Sequence, residues 1–321
     1  MQRTTNPSRP KGLEDLLTPE LVSRLGQLDI SSRRVFTGKL KGERRSKRRG
    51  QSVEFADHRQ YVYGDDLRYI DWNIFGRLDR LFLKLFMEEE DLSLHIVIDC
   101  SASADCGEPN KFLFMQRLAT SLGFIGLVNL NRVAVTAIGE RVIEGDSGLD
   151  LAAAETTGVM SNLRDLRGKR RLTDLVRYMC TLEPVGSTQF TDACKRVAIT
   201  RRGKGVMIIL SDFFYKEGYE TGLRMLKGHG YDLFAIQVLS PQEMEPNIGG
   251  DLRLKDVEDG DAAEVTISAP LLKKYKQILN AYCNRLHEFC AQRDIVHMTV
   301  KTDMEMDVLV MEYLRRRGLL R

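Results

Sequence analysis

The 321-residue chain has no run of about 18 uninterrupted apolar residues, the length a spanning helix needs, and its opening stretch MQRTTNPSRPKGLEDLL has no signal-peptide apolar core. Membrane insertion is therefore not expected. Cysteine is sparse: six residues, scattered, without the density of a disulfide scaffold, which points to a reduced, cytoplasmic setting. An excess of charge of one sign is also missing, since 48 Lys and Arg face 45 Asp and Glu, and no global field argues for nucleic acid. Locally, Arg33, Arg34, Lys39, Lys41, Arg44, Arg45, Lys47, Arg48 and Arg49 cluster against Glu43 alone. That run carries no interleaved aromatics, so it reads as a solvated loop or partner-facing patch. There is no glycine-rich phosphate loop ending in Lys-Ser/Thr, so the chain itself is not expected to hydrolyse ATP.

What is present begins with enough apolar residues, 43%, for a sizeable core. Residues 1–90 read as a basic and aromatic N-terminal extension. Residues 91–245 alternate short apolar runs with helical patterns, the strand candidates being LSLHIVID, RVAVTAIG, GVMIILSD and DLFAIQVLS. Between the first two lies NKFLFMQRLATSLGFIGLVNL, apolar around most of its circumference and so a helix buried on several sides. Uniformly apolar strands separated by helices imply an α/β fold with a doubly wound, mainly parallel, Rossmann-type sheet. Residues 246–321 add a hairpin, a helix over about 269–292, the strand IVHMTV and a terminal helix that complete the same domain.

The stretch IVIDCSASAD carries the sharpest signal. An apolar strand ends in Asp99, followed by hydroxyls at Ser101 and Ser103, and a second apolar strand ends in Asp212. In an open parallel sheet such strand ends line one crevice. Ser101 and Ser103 lack the glycines of a hydrolase elbow. A phosphotransferase aspartate needs a second acid two residues on, where this chain has Ser101. Hydroxyls beside carboxylates suit a hard cation instead, at a crevice expected to face solvent. The order D-x-S-x-S, a later Thr and a later Asp resembles the metal-ion-dependent adhesion site of von Willebrand factor A domains. The resemblance implies a von Willebrand factor A-like sheet and metal ligation by Asp99, Ser101, Ser103, Asp212 and Thr188 in PVGSTQFTDA, with Thr191 as the alternative threonine. It also implies Mg²⁺ or Mn²⁺, direct contact through the hydroxyls, acids acting largely through water, and a partner's carboxylate completing the shell.

A second segment, EFADHRQYVYGDDLRYIDWNIFGR, interleaves charge with aromatics. Arg59, Arg68 and Arg77 are placed to pair with Asp65, Asp66 and Asp71 after the turn at Gly64, against Tyr61 and the single tryptophan, Trp72. This predicts a structural brace, the alternative being a groove presented to a partner. The pattern R-x-Y-x-x-G-D-D-x-R-x-I-D-W, followed by a von Willebrand factor A-like segment, resembles the bacterial domain of unknown function 58 family across roughly residues 35–240. Ala104 and NIFGR depart from the usual pattern without removing a candidate ligand. The resemblance implies a non-enzymatic adaptor or co-chaperone of a MoxR-type AAA+ ATPase. The alternative is a metal-dependent hydrolase or phosphotransferase using Asp99 and Asp212, which would need a general base; His95 lies on the strand itself. Cys283, His287, Cys290 and His297 have zinc-like spacing, but their helix already reads as an amphipathic core helix.

Overall fold

The computed structural model describes residues 9–31, 54–87, 92–140, 159–200, 205–258 and 260–321. The basic cluster at residues 33–49 lies outside the described residues. The chain divides into two compact units, Met1–Arg33 with Leu92–Arg321, and Arg34–Asp91.

In the larger unit the chain opens with two short helices, α1 (Leu13–Leu16) and α2 (Pro19–Leu25), the second started by Thr18, whose side chain accepts from Leu21 N, and by Pro19 in the first turn. The smaller unit pairs β1 (Glu54–Gln60) antiparallel with β2 (Phe82–Met87) around a helix α3 (Trp72–Leu78). The chain then returns to the larger unit with β3 (Ser93–Asp99), α4 (Lys111–Val128), β4 (Arg132–Ile138), β5 (Val159–Leu166), α5 (Leu172–Thr181), α6 (Phe190–Thr200), β6 (Gly205–Ser211), α7 (Glu220–Gly228) and β7 (Asp232–Leu239). A short α8 (Pro241–Met244), the hairpin β8 (Gly250–Lys255) and β9 (Ala262–Ile267), α9 (Ala269–Ala291) and β10 (Val296–Lys301) follow.

The described residues build a mixed α/β structure on a six-stranded sheet ordered β10-β7-β6-β3-β4-β5, parallel except for β5, which runs antiparallel to β4. Strands β6 and β7 are buried at every position because helices cover both faces, which is why their sequences are apolar throughout rather than alternating. Alternation survives in three dimensions. Ile96, Ile98, Ile208, Leu210 and Ile236 face one core with α1, α2, α4 and α5, while Val97, Met207, Ile209 and Ala235 face the other with α6, α7 and α9. Helix α4 is buried at fifteen of its eighteen positions. By length and composition it would also pass as a membrane span, but 83% of it is buried inside the protein.

One boundary differs from that expected. Residues 1–90 do not form one extension. Leu16, Leu17, Leu21, Leu25 and Leu28 belong to the larger core, and Ile30 bridges Leu320 near the C-terminus, so burial of that leucine-rich face assigns the N-terminus to the main unit. The C-terminal segment adds its strand β10 beside β7 at the sheet edge. The edge strand β5 had no clear apolar signature, because its burial is partial.

Candidate functional site

The site lies where the sheet order reverses. From β3 the chain goes to β4 on one side and later to β6 on the other, with Ile98 opposite Leu210. The carboxyl ends of β3 and β6 therefore set Asp99 beside Ser211 and Asp212, at the topological switch point where open α/β sheets bind ligands.

Asp99 is 1% exposed, and both its oxygens are occupied. Oδ1 accepts from Thr188 Oγ1 at 2.9 Å and from Ser101 N at 3.0 Å. Oδ2 accepts from Ser211 Oγ and from Tyr215 OH, each at 2.8 Å. Burial, and then the charge of Asp212, push its pKa up, while the donors pull it back. The Tyr215 hydroxyl, buried against this carboxylate, is pushed well above its ordinary value.

Thr188 reaches Asp99 because the preceding segment is laced to the loop after β3: Val185 N donates to Cys100 O, and Ala102 N donates to Gly186 O. Gly186 sits at φ +61°, and a Cβ there would lie 2.7 Å from Glu140 Cβ, so glycine is required on both counts. Thr191, the alternative, has its N–H bonded to Glu217 Oε1 at 2.8 Å in the first turn of α6. Ser101 Oγ and Ser103 Oγ are 2.9 Å apart.

Asp212 accepts from Phe214 N at 3.0 Å through Oδ1 and from Lys111 Nζ at 2.6 Å through Oδ2. Lys111, the first residue of α4, has a fully buried side chain and also donates to Glu243 Oε1 at 2.8 Å. Burial alone would lower the lysine pKa, but the charges of Asp212 and Glu243 outweigh it and raise it. Between these groups Phe213 holds a left-handed backbone, φ +62°, which is costly for an aromatic residue. Its N–H donates to Ser211 Oγ, and its carbonyl accepts from Tyr282 OH.

Sequence reasoning therefore named Asp99, Ser101, Ser103, Thr188 and Asp212, and the fold brings them to the ends of two adjacent strands. It did not foresee Lys111, Ser211, Tyr215 or Glu243. A lysine at the head of an otherwise apolar helix was the one available signal. The solvent-facing crevice that was expected is largely closed: Ser101 is 2% and Asp212 5% exposed, because α4 and the β6–α7 loop cover the strand ends. Ser103 is the half-exposed member.

The arrangement suits a small hard cation. With the Thr188 proton on Asp99, both lone pairs of its oxygen remain available. Oxygen separations of 2.9 Å, as between the two serine hydroxyls, match the edge of an octahedron with metal–oxygen bonds of about 2.0–2.1 Å. Among the described residues no three His, Cys, Asp or Glu side chains gather as a metal-binding group, so the oxygen donors here are mainly hydroxyls. Of Cys283, His287, Cys290 and His297, Cys290 is buried in the second core and His297 is buried, Cys283 is half-buried and His287 is exposed, with the His287 and His297 Nδ1 atoms 3.4 Å apart.

In the smaller unit the brace forms in part. Arg59 pairs with Asp65 at 2.8 Å, and Arg68 with Asp66 at 2.5 Å. Gly64 makes the turn at φ +101°, with Tyr61 half-buried beside it. Asp71 caps α3 through Asn73 N and Ile74 N and meets His58 Nε2 at 3.0 Å and Lys84 Nζ at 3.3 Å, while Arg77 is exposed in the last turn. Burial would raise the Asp71 pKa, but these partners hold it at about 2. Trp72, expected to be clamped inside the brace, is 63% exposed and touches Phe75 edge-on, since its place at the first position of α3 turns the ring outward.

Several known proteins resemble this chain. Uncharacterized proteins of Mycobacterium bovis and Mycobacterium tuberculosis are each 23% identical over 98% of this chain and 95% of their own. A conserved hypothetical protein BatB from Bacteroides thetaiotaomicron aligns at 11% identity over 70% of this chain and 98% of its own, with a TM-score of 0.41. Proximal thread matrix protein 1 from the mussel byssus aligns at 14% identity over 72% of this chain and 47% of its own, also with a TM-score of 0.41. The profile described as Protein of unknown function DUF58 matches residues 57–282, more than half of the sequence, and the chain belongs to that family.

Proposed function

We propose that this protein is a non-enzymatic, divalent-metal-dependent protein-interaction module with a von Willebrand factor A-like fold, acting in the cytoplasm as an adaptor or co-chaperone of a MoxR-type AAA+ ATPase. The observation that carries the reading is the set of hydroxyls from Ser101, Ser103 and Thr188 around the buried Asp99, at the switch point between β3 and β6. Ser101, Ser103 and Thr188 would hold Mg²⁺ or Mn²⁺ directly, and Asp99 and Asp212 through water. The bound ion would supply Lewis acidity toward a carboxylate of the partner. The ATPase as partner rests on family resemblance.

Two features favour binding over the hydrolase or phosphotransferase alternative. Asp99 has two donors on each oxygen and so is a poor nucleophile, and His95 is committed to Thr136 Oγ1 at 2.8 Å rather than free to act as a base. Cytoplasmic placement draws support from the six free cysteines and from the burial of α4 within the fold.

Neutral hydroxyl ligands should hold a divalent ion weakly, with Kd on the order of 10⁻⁴–10⁻³ M, and partner and metal should strengthen each other's binding by the same factor. The test is titration calorimetry of the purified chain against a MoxR-type ATPase from the same host, with Mg²⁺ and with EDTA. Binding that disappears with EDTA and in Thr188→Val, but survives in Thr188→Ser, is the expected result. Equal affinity in all four conditions refutes the mechanism.

A further inference from the structure

The loop before α4 is built to hold one buried ammonium. Lys111 N donates to Cys106 O at 2.9 Å. Gly107 sits at φ +81°, and a Cβ there would lie 2.4 Å from Ser240 Cβ, so glycine lets α8 pack against this loop. Glu108 and Gln242 close the contact: Glu108 N donates to Gln242 Oε1 at 3.1 Å, and Gln242 Nε2 donates to Glu108 O at 2.7 Å. Glu243 is fixed by a capping box, its Oε2 accepting from Ser240 N at 2.7 Å and its N–H donating to Ser240 Oγ at 3.2 Å. The remaining oxygen, Oε1, accepts from Lys111 Nζ at 2.8 Å.

This frame sets Nζ 2.6 Å from Asp212 Oδ2, while Phe214 N donates to Oδ1 at 3.0 Å. A carboxylate gripped at both oxygens cannot swing toward an ion without breaking a buried, charge-assisted hydrogen bond. Each oxygen keeps a lone pair, which is enough for a bridging water. Asp99 already has two donors on each oxygen, so Asp212 is the acid of the candidate set whose release would add negative charge to a metal's shell. The ammonium also offsets the charge that Asp212 presents to the site, and Glu243 in turn offsets part of the ammonium.

We propose that Lys111 is a positioning residue that holds Asp212 back from the ion, so that the metal's shell stays one carboxylate short and open to a partner's acid. The inference rests on the metal-binding reading above and deepens it.

The experiment is Mn²⁺ titration of the full chain, followed by water-proton relaxation, for the parent, Lys111→Met and Glu243→Gln, with far-UV dichroism to show that each is folded. Adding one carboxylate to a low-charge oxygen site strengthens binding by about tenfold or more. Lys111→Met should therefore bind Mn²⁺ at least about tenfold more tightly than the parent. Its relaxation enhancement per bound ion should be smaller, because Asp212 displaces a coordinated water. Glu243→Gln leaves the ammonium wholly to Asp212 and should bind more weakly than the parent. A merely structural lysine would weaken binding in both variants. That outcome, or Lys111→Met matching the parent, refutes the proposal while the metal site stands. Tighter binding with unchanged enhancement refutes positioning in favour of charge alone. If Lys111→Met does not fold, Glu243→Gln binding as tightly as the parent or more tightly refutes the proposal by itself. No saturable Mn²⁺ binding by the parent overturns the proposal and the metal site together.

Discussion

Replacing Lys111 by methionine tests whether the strand-end cluster is held by one buried ammonium. The side chain is fully buried, with Asp212 Oδ2 at 2.6 Å and Glu243 Oε1 at 2.8 Å, and both acids are nearly inaccessible. Methionine preserves the length and apolar stem of lysine but removes the charge. Two carboxylates then remain buried with no cation between them, and Asp212 already faces Asp99. Removing one partner from a buried ion pair costs about 3–5 kcal/mol, far more than a surface pair would, because the remaining charge is left without compensation. Urea unfolding followed by far-UV circular dichroism reads this in the larger unit, which holds most of the helices. Trp72 fluorescence reports the smaller unit independently, since it is the only tryptophan. The dichroism midpoint should fall sharply while the m-value is preserved, and the deficit should shrink toward acid pH as protons neutralise the stranded carboxylates. A loss below about 1 kcal/mol, or a loss that does not depend on pH, would show that the cluster is wet and screened rather than dry.

Asp99→Asn should cost about 1–3 kcal/mol in the same assay despite being nearly isosteric. All four groups facing Asp99 donate, so the amide NH₂ would meet a donor; stability equal to the parent would refute the bonding pattern. Trp72→Ala should change the stability of the smaller unit by no more than about 0.5 kcal/mol, read by near-UV dichroism and thermal melting, because its side chain is largely exposed; a loss of 3 kcal/mol would restore the buried brace. His297 is held neutral, its pKa lowered to about 4 by burial and then by His287 and Arg317. The unfolded chain takes up this proton near pH 6.5, so stability should be full above that pH and fall by up to about 3 kcal/mol as pH drops toward 4; in His297→Leu that part of the slope should vanish.

The central strands, the buried helix α4 and the pairing of Asp99 with Asp212 were legible in the sequence because each is a local property: apolar runs bounded by turn residues, ending in acids. The spacing of Ser101 and Ser103 was legible for the same reason, as both hydroxyls leave one strand end. Choosing Thr188 over Thr191 required the tertiary structure, since the choice depends on backbone bonds between residues 100–102 and 185–186 and on the left-handed turn at Gly186. Lys111 was invisible as a site residue because its partners lie 101 and 132 positions away, and no local pattern distinguishes a buried lysine from a solvated one. The outward turn of Trp72 and the return of residues 9–31 to the main core were likewise decided by which surfaces met. A sequence specifies which faces are apolar, but long-range packing selects what each one covers.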